Sequence, residues 1–153
     1  MSDEYWSSSL EWLSGQIIDQ TMDAVVFCDR AGIIRLWNPG AERVFGYTSV
    51  EAVGQSLDLI IPESLRERHW TGYQAVMATG VTRYDTTVLA VPALRKDGSR
   101  ISIEFTVALI RDRGQLLGAA ALIRDVTERW ERERALRKDL ARLTELTAVS
   151  ASE

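Results

Sequence analysis

Cysteine and histidine each occur once in this chain of 153 residues, as Cys28 and His69. One cysteine forms no internal disulfide, so a reducing, cytoplasmic setting is the expectation. There is no CxxC pair and no Cys/His cluster, which removes the usual zinc sites. Basic residues do not outnumber acidic ones: 18 Lys and Arg stand against 22 Asp and Glu, for a net charge of −4. That balance excludes a basic nucleic-acid footprint, so no nucleic-acid partner is expected. No apolar run approaches the length of a membrane span, so no membrane partner is expected either. The start, Met1-Ser2-Asp3-Glu4, lacks the basic opening of a signal peptide. No Ser–His–Asp set, paired acids or phosphate loop is present, and the chain is not expected to be an enzyme in its own right.

What is present suits one core with helical extensions: 46% of residues are hydrophobic and 26% charged. Ser8 to Asp19 reads as an amphipathic helix, with Ser8 and Glu11 as a capping box and Leu10, Leu13 and Ile17 at helical spacing, so it should lie on something apolar. Ala24 to Cys28 and Ile33 to Trp37 read as two strands around an Asp29-Arg30-Ala31-Gly32 turn. Asn38 caps a short helix that opens on Pro39 and ends at Gly46. Ser49 to Val53 is a further helical turn, and Leu57 to Ile61 an apolar connector. Pro62 starts the longest internal helix, Glu63 to Ala78, closed by Thr79-Gly80.

Strands follow. Arg83 to Val91 is moderately β-like, and Lys96-Asp97-Gly98 is a hairpin turn. Arg100 to Ile110 alternates with period two: Ile101, Ile103, Phe105, Val107 and Leu109 share one face, and Ser102, Glu104 and Thr106 the other. Leu116 to Ile123 is nearly all apolar, as a central strand would be. From Thr127 the chain is charge-rich and reads as one long helix. Leu136, Leu140 and Leu143 keep a 4-3 spacing, but Glu133 and Arg129 interrupt the same seam upstream, which makes a short coiled coil. The expected class is α+β: a five-stranded antiparallel sheet with short helices on one face. Residues 1–20 form an N-terminal helical extension, 21–126 the domain, and 127–153 the exit helix and tail.

The segments Ala24 to Asn38, Ala41-Glu-Arg-Val-Phe-Gly-Tyr47, Val53-Gly54, Arg95-Lys-Asp-Gly98 and Ile123-Arg-Asp-Val-Thr-Glu128, in that order, resemble the PAS family over about residues 20 to 128. The resemblance implies a PAS fold, a sensory pocket, and a C-terminal helix that signals to an output domain or partner protein. Asp125-Val126-Thr127 matches the family's junction between last strand and signalling helix. Flavin photosensors of the family need a cysteine in the middle helices, and none is there; Cys28 lies in the first strand and reads as a small buried hydrophobe.

The run from Ile61 to Gly80 resembles the haem-binding helix of oxygen-sensing PAS kinases and related gas-sensing phosphodiesterases. The resemblance puts His69 at the metal ligand's position, with haem b as cofactor and a diatomic gas as signal. The residues agree in kind: Leu65, His69, Gly72, Tyr73 and Val76 share one helical face, while Arg66, Glu67 and Arg68 mark the wet side. Tyr73 also reads as a packed aromatic with a satisfied hydroxyl, and Trp70 as a surface or subunit contact. Ile103, Phe105 and Val107 would supply an apolar wall, and Ala120, with its neighbours Ala119 and Ala121, would leave room. Where the oxygen sensors carry a distal arginine this chain has Leu89, and where the phosphodiesterases use methionine it has Thr87. An apolar distal side favours CO, NO or redox sensing over stable oxygen binding. Arg83 is a propionate partner or a solvated strand-end arginine. The alternatives are a haem-free module that homodimerises through the N-terminal helix and outer sheet face, binding another small ligand or none, or a noncovalent flavin (FAD) site.

Overall fold

The computed structural model describes residues 9–82 and 88–150. The elements are α1 (Leu10–Gln20), β1 (Ala24–Asp29), β2 (Ile34–Trp37), α2 (Pro39–Phe45), α3 (Ser49–Ala52), a 3-10 turn (Leu57–Leu59), α4 (Glu63–Thr79), β3 (Leu89–Leu94), β4 (Arg100–Asp112), β5 (Gln115–Asp125) and α5 (Thr127–Ser150). The strands form one five-stranded antiparallel sheet in the order β2-β1-β5-β4-β3. Ala24, Val26, Cys28, Ile34, Trp37, Ile101, Ile103 and Ile123 join Ala41, Phe45 and Ala52 in one buried core. Phe45 is fully buried, and truncating such a ring to alanine typically costs about 3–5 kcal/mol.

Asn38 does more than cap α2. It is buried, yet all its polar capacity is used. Its Oδ1 accepts from the backbone N–H of Ala41 and Val25, both at 2.8 Å, and its amide donates to the carbonyls of Ile18 (2.8 Å) and Asp23 (3.1 Å). One side chain therefore joins α1, β1 and α2, as a buried polar group must. Gly46 ends α2 at φ +82°, where an L side chain is strained.

Several expectations are corrected. Helix α1 starts at Leu10, and Ser9 at its N-cap makes no side-chain capping bond; Ser8 lies outside the described residues. The helix rests on its own chain only in part: it contacts α2 and half-buries Leu13 and Ile18, but none of its residues is buried, and Leu10, Trp12 and Ile17 are each 61% exposed. A capping box is present at Thr48 and Glu51, on α3. Strand β3 runs to Leu94, through Pro92; an edge strand tolerates proline because only one side of it pairs. Residues 83 to 87 of the expected strand lie outside the described residues. β5 is central, as its apolar run suggests, but its pleat leaves Leu122 exposed on the outer face, and Leu117, at the register shift opposite Ile110 and Arg111, is exposed too.

Candidate functional site

Pro62 precedes α4, and Gly80 closes it at φ +66°. Leu65, His69, Tyr73 and Met77 recur every fourth residue and make its inward stripe. Leu65 and Tyr73 pack against the core, and Met77 is buried. Gly72, expected on this stripe, is exposed. The Tyr73 hydroxyl donates to the Asp29 carbonyl at 2.6 Å and lies 3.2 Å from the Cys28 carbonyl. The phenol is thereby tied to the end of β1; burial foremost, with Cys28 and Asp29 nearby, pushes its pKa up.

His69 is half-buried and packs against two rings, which also touch each other. The Trp70 indole meets it edge-on, with centroids 4.7 Å apart at 81°, and the Tyr73 ring lies 5.9 Å away at 27°. The imidazole Nδ1 is buried without a hydrogen-bond partner. Burial holds the imidazole pKa below its usual value, opposed by the charge of Asp58, so the ring is neutral at pH 7. An unsatisfied buried nitrogen costs about 1–3 kcal/mol, so this atom calls for an explanation.

The sheet side of the site is apolar. Ile103 is buried, and Phe105 and Val107 are half-buried. Leu89 pairs with Phe105 across the β3–β4 ladder and shares its face. Val107 pairs with Ala121, and Leu109 with Ala119; Val26 and Cys28 of the core pair with the same two alanines from β1. Ala119 and Ala121 thus stand on the core face. Ala120, expected there, pairs with Phe27 and Ala108, and the pleat turns it to the outer face. Arg83 and Thr87 lie outside the described residues. Among the described residues no group of three or more His, Cys, Asp and Glu side chains converges on a metal position. A single axial imidazole needs no such group. A neutral imidazole without a protein partner is the kind of ligand that a haem held by one histidine takes.

Residues 18–131 match the family described as the PAS fold. The chain belongs to the PAS family. Its PAS domain is similar to the sensor protein FixL of Bradyrhizobium diazoefficiens, 27% identical over 135 residues, which cover 88% of this chain and 26% of that protein. It is also similar to the oxygen sensor protein DosP of Escherichia coli, 27% identical over 110 residues, 72% of this chain and 14% of that one. This chain therefore spans about a quarter or less of these relatives. The PAS domain of a protein from Colwellia psychrerythraea superposes with a TM-score of 0.68 at 25% identity, covering 78% of this chain and 98% of that one.

Two features of this PAS domain escape a sequence reading. Trp70 is half-buried against its own chain, and its indole N–H donates to Asp58 Oδ1 at 2.8 Å. Arg30 donates to the carbonyls of Met77 (3.2 Å) and Leu116 (3.3 Å), fastening the end of α4 to β5. The one sequence signal for the Trp70 contact is Gly32, whose φ of +78° and missing Cβ make room for the indole.

Proposed function

We propose that this PAS domain is the sensory input of a signalling protein and that His69 is the axial ligand of a haem b. The observation that carries the reading is the buried, neutral His69 imidazole whose Nδ1 has no protein partner. Similarity to proteins named as a sensor and an oxygen sensor supports it. When bound, haem supplies an open coordination position for a diatomic gas and an iron redox couple. The chain supplies the setting. Leu89, Phe105 and Val107 offer an apolar wall without a hydrogen-bond donor, which favours CO, NO or redox sensing over stable oxygen binding. Tyr73 couples α4 to the end of β1, so any shift of His69 reaches the β1–β5 ladder. That ladder leads into the Asp125–Thr127 junction and α5, within a signalling helix and tail over 127–153; the sensor unit is 21–126, with 1–20 as its helical extension. The test is to purify the chain with haem supplied. A Soret band in the wild type that His69→Ala abolishes supports the reading; a colourless wild type, or unchanged uptake by His69→Ala, overturns it.

The unpartnered apolar surfaces favour a homodimer as the partner state. Leu10, Trp12 and Ile17 on α1 and Leu122 on the outer sheet face are exposed, and two copies would cover each other's helix and sheet. No helix among the described residues is long and apolar enough to cross a membrane; a cytoplasmic setting for the domain is part of the proposal.

A further inference from the structure

A histidine that binds a metal is usually oriented by a hydrogen bond at its other ring nitrogen. His69 has no such bond at either ring nitrogen, and its Nδ1 is buried as well. What holds the ring must then be packing. One neighbour is Tyr73, nearly parallel, whose hydroxyl is fixed on β1. The other is Trp70, whose indole stands perpendicular to the imidazole and closer, and packs edge-on against Tyr73 as well, with centroids 5.6 Å apart.

Trp70 is itself latched at two points. Its N–H donates to Asp58 Oδ1 on the 3-10 turn. Its far edge lies over Gly32: a Cβ there would come within 2.2 Å of both Cζ3 and Cη2 of the indole. The two anchors are joined in turn, since Leu57 N–H donates to the Gly32 carbonyl at 3.2 Å. The indole is a wedge between the β1–β2 turn, the 3-10 turn and the imidazole.

We propose that Trp70 is a positioning residue that fixes the orientation of the His69 imidazole, with Asp58 and Gly32 as its anchors. The orientation stands on the packing alone; its consequence for haem rests on the function proposed above. Because His69 is the only histidine in the chain, its ring protons give isolated NMR signals that report orientation without any cofactor. Asp58→Ala and Gly32→Ala keep the indole but unlatch it, and each should move the His69 signals toward those of a free imidazole. Gly32→Ala also strains the turn backbone, so Asp58→Ala and Trp70→Phe, which keeps a ring and loses the N–H, carry the test if it fails to fold. In the haem-loaded protein the unlatched variants should release haem to an excess acceptor about tenfold faster, as loss of a supporting contact does at metal-binding histidines. Unmoved His69 signals in folded Asp58→Ala and Trp70→Phe overturn the inference. If those signals move while His69→Ala takes up haem as well as the wild type, the positioning stands and the haem reading falls.

Discussion

Arg95 and Asp125 meet at 2.7 Å although thirty residues separate them. The contact closes the β3–β4 turn onto the last residue of β5, where α5 departs. The other Asp125 oxygen accepts from the Thr127 N–H at 3.0 Å and from the Thr127 hydroxyl, while Thr127 Oγ1 accepts from the Ser102 N–H at 3.0 Å. The first turn of α5 is thus bound to both neighbouring strands. Asp125→Ala should cost about 1–2 kcal/mol, as loss of a helix cap does. It should also speed amide exchange at Thr127 to Trp130 while leaving β1 protected. Uniform exchange across the domain would count against a local latch.

The same carboxylate predicts an acid response. Burial by itself raises the Asp125 pKa, but the hydrogen bonds from Thr127 and Arg95 outweigh it and leave the group below the usual carboxylate value. A depressed folded-state value gives stability that is complete above the unfolded-state pKa of about 4 and lost as pH falls through the folded value. Asp23, lowered by its hydrogen bond from Arg124, acts with the same sign. Urea midpoints should therefore fall steadily below about pH 5. Asp125→Asn should flatten that fall; an unchanged slope would show that other groups set it.

Cys28 is buried, and its thiol is pushed up to about 12, first by burial and then by the charge of Asp29. The thiolate is the reactive form. Alkylation of the native protein near pH 8 should be at least about a thousandfold slower than that of the urea-unfolded chain. Rates within about tenfold of each other would mean that β1 opens far more often than its packing allows.

The proposed homodimer makes the outer sheet face accountable. Leu122→Glu places a charge where the proposal has a second copy's helix, yet touches nothing in the core. It should shift sedimentation from dimer to monomer, leave haem uptake unchanged and lower the urea midpoint only by the dimer's concentration-dependent share, because the position is 48% exposed. A wild type that sediments as a monomer at every concentration would remove this partner.

Local chemistry made much of the fold legible. The period of two in β4 shows because one face meets the core. Asn38-Pro39 and Gly80 announce helix ends because capping and positive φ demand those residue types. The site was legible only where it follows one helix, in Leu65, His69 and Tyr73. Ala119-Ala120-Ala121 carries no period, so nothing local says that the middle alanine faces outward. Trp70, Asp58 and Gly32 meet only after α4 folds back over the turns. Gly118 tells the same story: a Cβ there would lie 2.0 Å from the Cys28 carbonyl, a constraint set by the closeness of β1 and not by any neighbour in sequence.

Pro92 bears on how copies of this chain can associate. It sits opposite Ser102 in the β3–β4 ladder, and the Ser102 N–H points away from it, toward Thr127. Paired residues of this kind direct their backbone groups outward on both strands. The N–H that Pro92 lacks would therefore have been on the open rim of the sheet. The opposite rim is occupied too, by the backbone of Gly54 and Gln55 bonded to Ile34. Strand-by-strand extension into ribbons or amyloid-like fibrils finds an incomplete template at one end and a covered one at the other. Self-association is thereby steered toward closed assemblies of fixed stoichiometry.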